Sequence, residues 1–151
     1  MPKRTEIDAR FSSHEELGRE FWRVWSEEGV EQVLAQYETF FTEDAVWSPV
    51  TAQVAGHDYS GRDGFAEYVG DFHDTFRSFG GELLSIEELS DGIARSEVRV
   101  SAEMLNGGVL EANLFTLTRF RGGRVEYGWG TYDPKAAEQK LEELLSQRED
   151  A

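Results

Sequence analysis

Cysteine is missing from the 151-residue chain. That rules out disulfides, thiolate metal sites and cysteine nucleophiles. Histidine is scarce, and none of His14, His57 and His73 stands at ligand spacing from another, so no metal is expected. Basic residues are outnumbered: 15 Lys and Arg face 30 Asp and Glu, for a formal net charge of -15. Phosphate binding needs clustered cations, so neither nucleic acid nor an anionic membrane surface is an expected partner. No apolar run reaches membrane-spanning length, and Met1-Pro2-Lys3-Arg4 leads into polar residues, not an apolar signal core. A cytoplasmic location is the resulting expectation.

What is present is aromatic. Ten Phe, five Tyr and four Trp supply enough apolar area for a packed core in a chain of one domain's length. Residues 1–11 read as a flexible N-terminal tail and 12–151 as a single domain. Ser12 and Ser13 precede Glu15 and Glu16 at capping-box spacing. The helix they open carries Leu17, Phe21, Val24 and Trp25 on one face and stops at Gly29. A second helical stripe runs from Val30 through Tyr37 to Phe41. Ala45–Ser48 reads as a short strand stopped by Pro49, with a loop over 50–60. A third helix spans about Asp63 to Arg77, with a stripe of Phe65, Tyr68, Val69, Phe72, Phe76 and Phe79, ended by Gly80-Gly81.

Strand patterns follow at 82–89, 93–104, 109–121 and 124–132. Asp91-Gly92, Asn106-Gly107-Gly108 and Gly122-Gly123 separate them as hairpin signals, so consecutive strands should be antiparallel. Asp133 and Pro134 open a last helix bearing Ala137, Leu141, Leu144 and Leu145. In 93–104 the even positions, such as Val98 and Val100, alternate with Arg95, Glu97, Arg99 and Glu103. The even face should meet the helices; Glu97 and Arg99 then read as part of a solvated or dimer-facing ladder, with a charged pair in the pocket that orients water or an anion as the other reading. In 109–121 the odd set contains Phe115 and Leu117, too apolar for a solvent face. A second subunit, in a homodimer, is the expected cover. The resulting class is α+β, a curved and mostly antiparallel sheet wrapped around N-terminal helices.

Three segments in this order resemble the nuclear transport factor 2-like superfamily, in its SnoaL-like (polyketide-cyclase-like) branch. They are Asp44-Ala45-Val46-Trp47, Tyr59-Ser60-Gly61-Arg62-Asp63-Gly64, and Arg121-Gly122-Gly123-Arg124-Val125 leading to Trp129 and Asp133-Pro134. The resemblance covers about residues 13–146. It implies a cone-shaped fold with a pocket at its open end and frequent homodimers. It also implies either cofactor-free isomerase, cyclase or dehydratase chemistry or no catalysis at all. The acid–base patterns of such enzymes do not carry over. Ser48 stands where a carboxylate would precede Pro49, Phe21 and Thr116 replace oxyanion donors, and Gly128 and Gly130 replace His and Asp. Glu97 and Arg99 match part of an Asp-Arg-Asp arrangement, but Thr131 supplies no third acid.

Two candidates for proton transfer remain: His73, next to the third helix's apolar stripe, and Tyr132 as donor. The ligand-binding set read from the chain is Phe21, Trp25, Trp47, Ser48, Tyr68, Phe72, Val98, Val100, Leu114, Thr116, Thr118, Gly128 and Gly130. Gly128 and Gly130 alternate on one strand face, where missing side chains leave room for a ligand or another backbone. A mostly apolar metabolite in a pocket, with no cofactor, is the functional expectation. A dimeric association module is the alternative.

Overall fold

Ser13 starts α1 (His14–Glu28) by accepting the Glu16 backbone N–H at 3.1 Å. Glu16 reaches back one residue further than a capping box requires, accepting the Ser12 N–H at 2.7 Å. Gly29, at φ 104, closes α1 by donating to the Val24 and Trp25 carbonyls. The computed structural model describes residues 11–51, 56–90 and 92–150. The tail expected over 1–11 therefore lies outside the described residues except for Phe11, which stacks on Phe40 at 6.0 Å. The same holds for 52–55 of the expected loop and for Asp91.

The second stripe forms two short helices, α2 (Val30–Ala35) and α3 (Tyr37–Phe40), broken at Gln36. Phe41 has already left the helix. It begins β1 (Phe41–Ser48), which starts four residues before the expected strand and pairs in parallel with β6 (Arg124–Thr131). A short β2 (Tyr59–Ser60) pairs with β1 and leads into α4 (Gly61–His73).

The helix expected to reach Arg77 stops at His73. Phe76, Phe79 and Gly80-Gly81 belong to β3 (Phe76–Ser90), which continues through the antiparallel strands β4 (Ile93–Met104) and β5 (Val109–Arg121) to β6. The misreading has a definite cause. Strand side chains alternate, so residues three apart normally face opposite ways. Register shifts between Phe76 and Ser78 and between Leu83 and Ser85 insert extra residues. Phe76 and Phe79 then share a face, as do Leu83 and Ile86, and the strand mimics helical spacing. A shift beside Arg119 and Phe120 does the same for Val125 and Gly128 on β6.

The sheet runs β2-β1-β6-β5-β4-β3, antiparallel everywhere except β1–β6. Its inner face carries Ala94, Val98, Val100 and Leu114 against α1–α4, in one core with Phe21, Trp25, Phe40, Phe65 and Phe72. Helix α1 is fastened to β3 at Gly81. Ser26 Oγ donates to the Gly81 carbonyl at 2.9 Å and accepts its N–H at 2.8 Å. A Cβ there would lie 2.7 Å from the Trp22 ring, so only glycine admits the helix this close.

The final helix, α5 (Pro134–Asp150), crosses the other face. Asp133 caps it, accepting the Lys135 N–H at 3.0 Å. Leu141 and Leu144 bury Ile93 and Leu117, with Tyr127 and Trp129 at the margin. This corrects one expectation: Leu117 is covered by the chain's own last helix rather than by a second subunit. Among the described residues, no helix is long and apolar enough to cross a membrane.

Candidate functional site

Between α1, α4 and the inner sheet face lies a cavity of about 110 Å³, open to solvent at its mouth. Helix α1 contributes Phe21, Trp22 and Trp25, the end of β1 contributes Trp47 and Ser48, and α4 contributes Tyr68. The sheet floor carries Leu114, Thr116 and Thr118, and Tyr132 closes one side. The aromatic walls pack on one another: Trp47 stands 5.9 Å from Phe21, 6.0 Å from Trp25 and 5.8 Å from Tyr68, between ring centroids. Among the described residues, no Asp, Glu, Lys, Arg or His side chain lines the cavity.

Eleven of the expected site residues meet here: Phe21, Trp25, Trp47, Ser48, Tyr68, Leu114, Thr116, Thr118, Gly128, Gly130 and Tyr132. Phe72, Val98 and Val100 are buried in the core behind it and do not line it. His73 is also elsewhere. Its ring is half exposed, with Nε2 3.2 Å from Glu31 Oε2. One residue along a helix turns a side chain by about 100°, so the neighbour of buried Phe72 points away from the cavity. Glu97 and Arg99 lie on the outer face. There Arg99 donates to Asn113 at 2.9 Å and Asn113 donates to Glu97.

The space left by Gly128 is occupied by protein. A Cβ there would sit 3.0 Å from the Trp47 ring, so this glycine lets the indole lie flat against β6. His14, at the start of α1, stacks on Phe120 at 3.9 Å and holds Glu88 at 2.8 Å through Nδ1. Phe120 itself lines the cavity, which places the imidazole one ring behind the wall. Phe76, Phe79, Leu83, Ile86 and Ser96 also line it and were not anticipated. Even-position alternation on β4 marks Ser96, but the bulged strand hides the other four.

Polar groups are few: hydroxyls such as those of Ser48, Ser96, Thr116, Thr118, Tyr68 and Tyr132, and indole N–H groups. The indole N–H groups of Trp25 and Trp47 are buried without a hydrogen-bond partner, each costing about 1–3 kcal/mol. Burial pushes the Tyr68 hydroxyl well above the usual phenol range. Trp47 Nε1 leans toward that hydroxyl and opposes the shift, without meeting hydrogen-bond geometry. Burial likewise raises Tyr132, so both phenols stay protonated near neutral pH. Ser48 is buried, and its Oγ donates to Asp58 Oδ1 at 2.7 Å. Asp58 had no signal in the sequence, because it reaches Ser48 across a loop. Among the described residues, no group of three metal-capable side chains converges.

Helices held inside one face of a bulged, open sheet, with an apolar cleft between them, define a cone-shaped α+β class. The particular member of that class is the nuclear transport factor 2-like fold. A nuclear transport factor 2-like protein of unknown function from Burkholderia pseudomallei superposes with a TM-score of 0.68 at 15% identity, over 82% of this chain and 92% of that one. A protein with a ketosteroid isomerase-like fold from Catenulispora acidiphila, in complex with trimethylamine, gives 0.64 at 13% identity over 78% and 85%. A SnoaL-like family structure from Agrobacterium tumefaciens gives 0.61 at 15% identity over 82% and 99%. No family model matches the sequence, and no curated protein matches it. At these identities the likeness establishes the fold.

Proposed function

We propose that the cleft binds a small, uncharged and mostly apolar metabolite. The observation that carries this reading is the lining: aromatic walls, a few hydroxyls, and no charged side chain among the described residues. A charged ligand would lose its hydration with nothing to replace it, whereas a ring system gains apolar burial of about 25 cal/mol per Å². If turnover follows binding, the protonated Tyr68 and Tyr132 are the available donors to a ligand oxygen. The supported reaction type is then cofactor-free isomerisation, cyclisation or dehydration. The alternative, a dimeric association module in the cytoplasm, rests on half-buried Phe115 on the outer face, and sedimentation velocity tests it.

Methylnaphthalene and naphthalenesulfonate share a ring and differ in charge. Titration of the intrinsic tryptophan fluorescence should show saturable quenching with the first and none with the second. Equal binding of the two would refute the reading.

A further inference from the structure

Ser48 holds the one described hydrogen bond that joins a cleft-lining side chain to a carboxylate. Ser48 as a residue is 5% exposed, and its hydroxyl donates to Asp58 Oδ1 over 2.7 Å. A hydroxyl donating to a carboxylate is a short, charge-assisted contact, stronger than a neutral one. A serine hydroxyl has one proton and two lone pairs. With that proton committed, Ser48 offers only acceptor capacity to whatever enters the cleft. The carboxylate's polarisation of the O–H bond makes that oxygen a better acceptor. The Ser96, Thr116 and Thr118 hydroxyls can donate as well as accept, and the indoles of Trp25 and Trp47 only donate, so Ser48 is the lining group whose proton is committed to a carboxylate.

We propose that Ser48, oriented by Asp58, is the cleft's acceptor for a hydroxyl on the ligand, and that the bound metabolite is an uncharged ring compound bearing a phenol, enol or alcohol. This rests on the cleft-binding reading and narrows its ligand class. Ser48 touches the ligand and Asp58 acts through it as a positioning residue. The position is fixed by the fold: Ser48 ends β1 opposite Trp129 of β6, and Pro49 turns the chain away. Asp58 lies on the return path into β2 and is exposed, so its charge stays hydrated while its oxygen orients the buried hydroxyl.

The test compares naphthol with methylnaphthalene by calorimetry, since the two differ only in a hydroxyl for a methyl. The wild-type protein should favour naphthol by about tenfold, the value of one good hydrogen bond. In Ser48→Ala the ratio should fall to about one. Asp58→Ala removes an exposed side chain and frees the serine proton to rotate. Its ratio should fall part of the way, which keeps the proposal testable if Ser48→Ala melts early. A wild-type ratio near one, or a preference retained in both variants, overturns the Ser48 assignment alone. Failure of either compound to bind overturns the cleft reading and this assignment with it.

Discussion

The two faces of the one sheet are built by the same alternation and end in opposite chemistry. Inside, aromatic side chains from α1, β1, α4 and β3 surround a cleft that, among the described residues, no charged side chain lines. Outside, α5 seals a small patch around Ile93 and Leu117. Arginines from two strands, β4 and β5, lie around it in ion pairs: Arg95 with Glu87 and Glu138, Arg99 with Glu111, and Arg119 and Arg121 with Glu126. Lys140 of α5 lies 5.3 Å from the Tyr127 ring centre and 5.7 Å from that of Trp129. Exposed pairs of this kind contribute little each. Their effect on function is one of placement: a chain with 30 acidic residues keeps charge off the cleft wall. The closed patch serves stability, and under the proposed reading the open face serves binding.

Four experiments can break or sharpen that division. Leu144 is 2% exposed beneath α5, so Leu144→Ala should cost about 2–5 kcal/mol in urea unfolding while methylnaphthalene affinity holds. A parallel loss of affinity would mean that the faces are not independent. Alkaline pH should act next, and on the inner side. Burial pushes the hydroxyls of Tyr37 and Tyr59 up from 10.0 to about 12, with Asp44 adding to the first and Asp71 to the second. Because the folded state holds these protons more tightly, this contribution is intact below pH 10.0 and is lost as pH rises toward about 12. Thermal melts should fall across that window, and a melting temperature flat through it would contradict the assignment.

Gly128→Ala comes third. The added methyl meets the Trp47 ring at 3.0 Å and should cost about 1–3 kcal/mol as overpacking. It should also shift tryptophan emission and weaken methylnaphthalene binding, because the indole moves into the cleft. The smallest effect belongs to His73→Ala. With its ring half exposed, edge-on to Phe72 and paired with exposed Glu31, it should change stability by less than about 0.5 kcal/mol and leave binding as it was. A binding defect there would place a role for this residue that the geometry does not.

The order of elements and the antiparallel run of four strands were legible in the chain, because glycine turns and period-two alternation are local signals. So was much of the cleft wall: Thr116, Thr118 and Leu114 follow from which face of β5 holds the even residues. Bulges defeated the same logic in β3. Phe76 and Phe79, and again Leu83 and Ile86, sit three apart on one face of a strand, and a single extra residue in each case turns a strand pattern into a helical one. His73 failed through the opposite error, in that nearness in sequence to a buried residue says little on a helix. The last helix was recognised, but Leu141 and Leu144 show an apolar side without naming its partner, so the cover over Leu117 was assigned to a second subunit. Asp58 carries no periodic mark at all, and only the folded loop brings it to Ser48.

The indole N–H resonances of Trp25 and Trp47 test the central claim most directly, because both rings line the cleft and both groups are buried without a partner. In nitrogen-edited NMR, titration with methylnaphthalene should move these two signals in a saturable way, and naphthalenesulfonate should leave them in place. Signals that ignore the neutral ring, or that follow the sulfonate, would contradict an uncharged ligand site between α1 and the sheet.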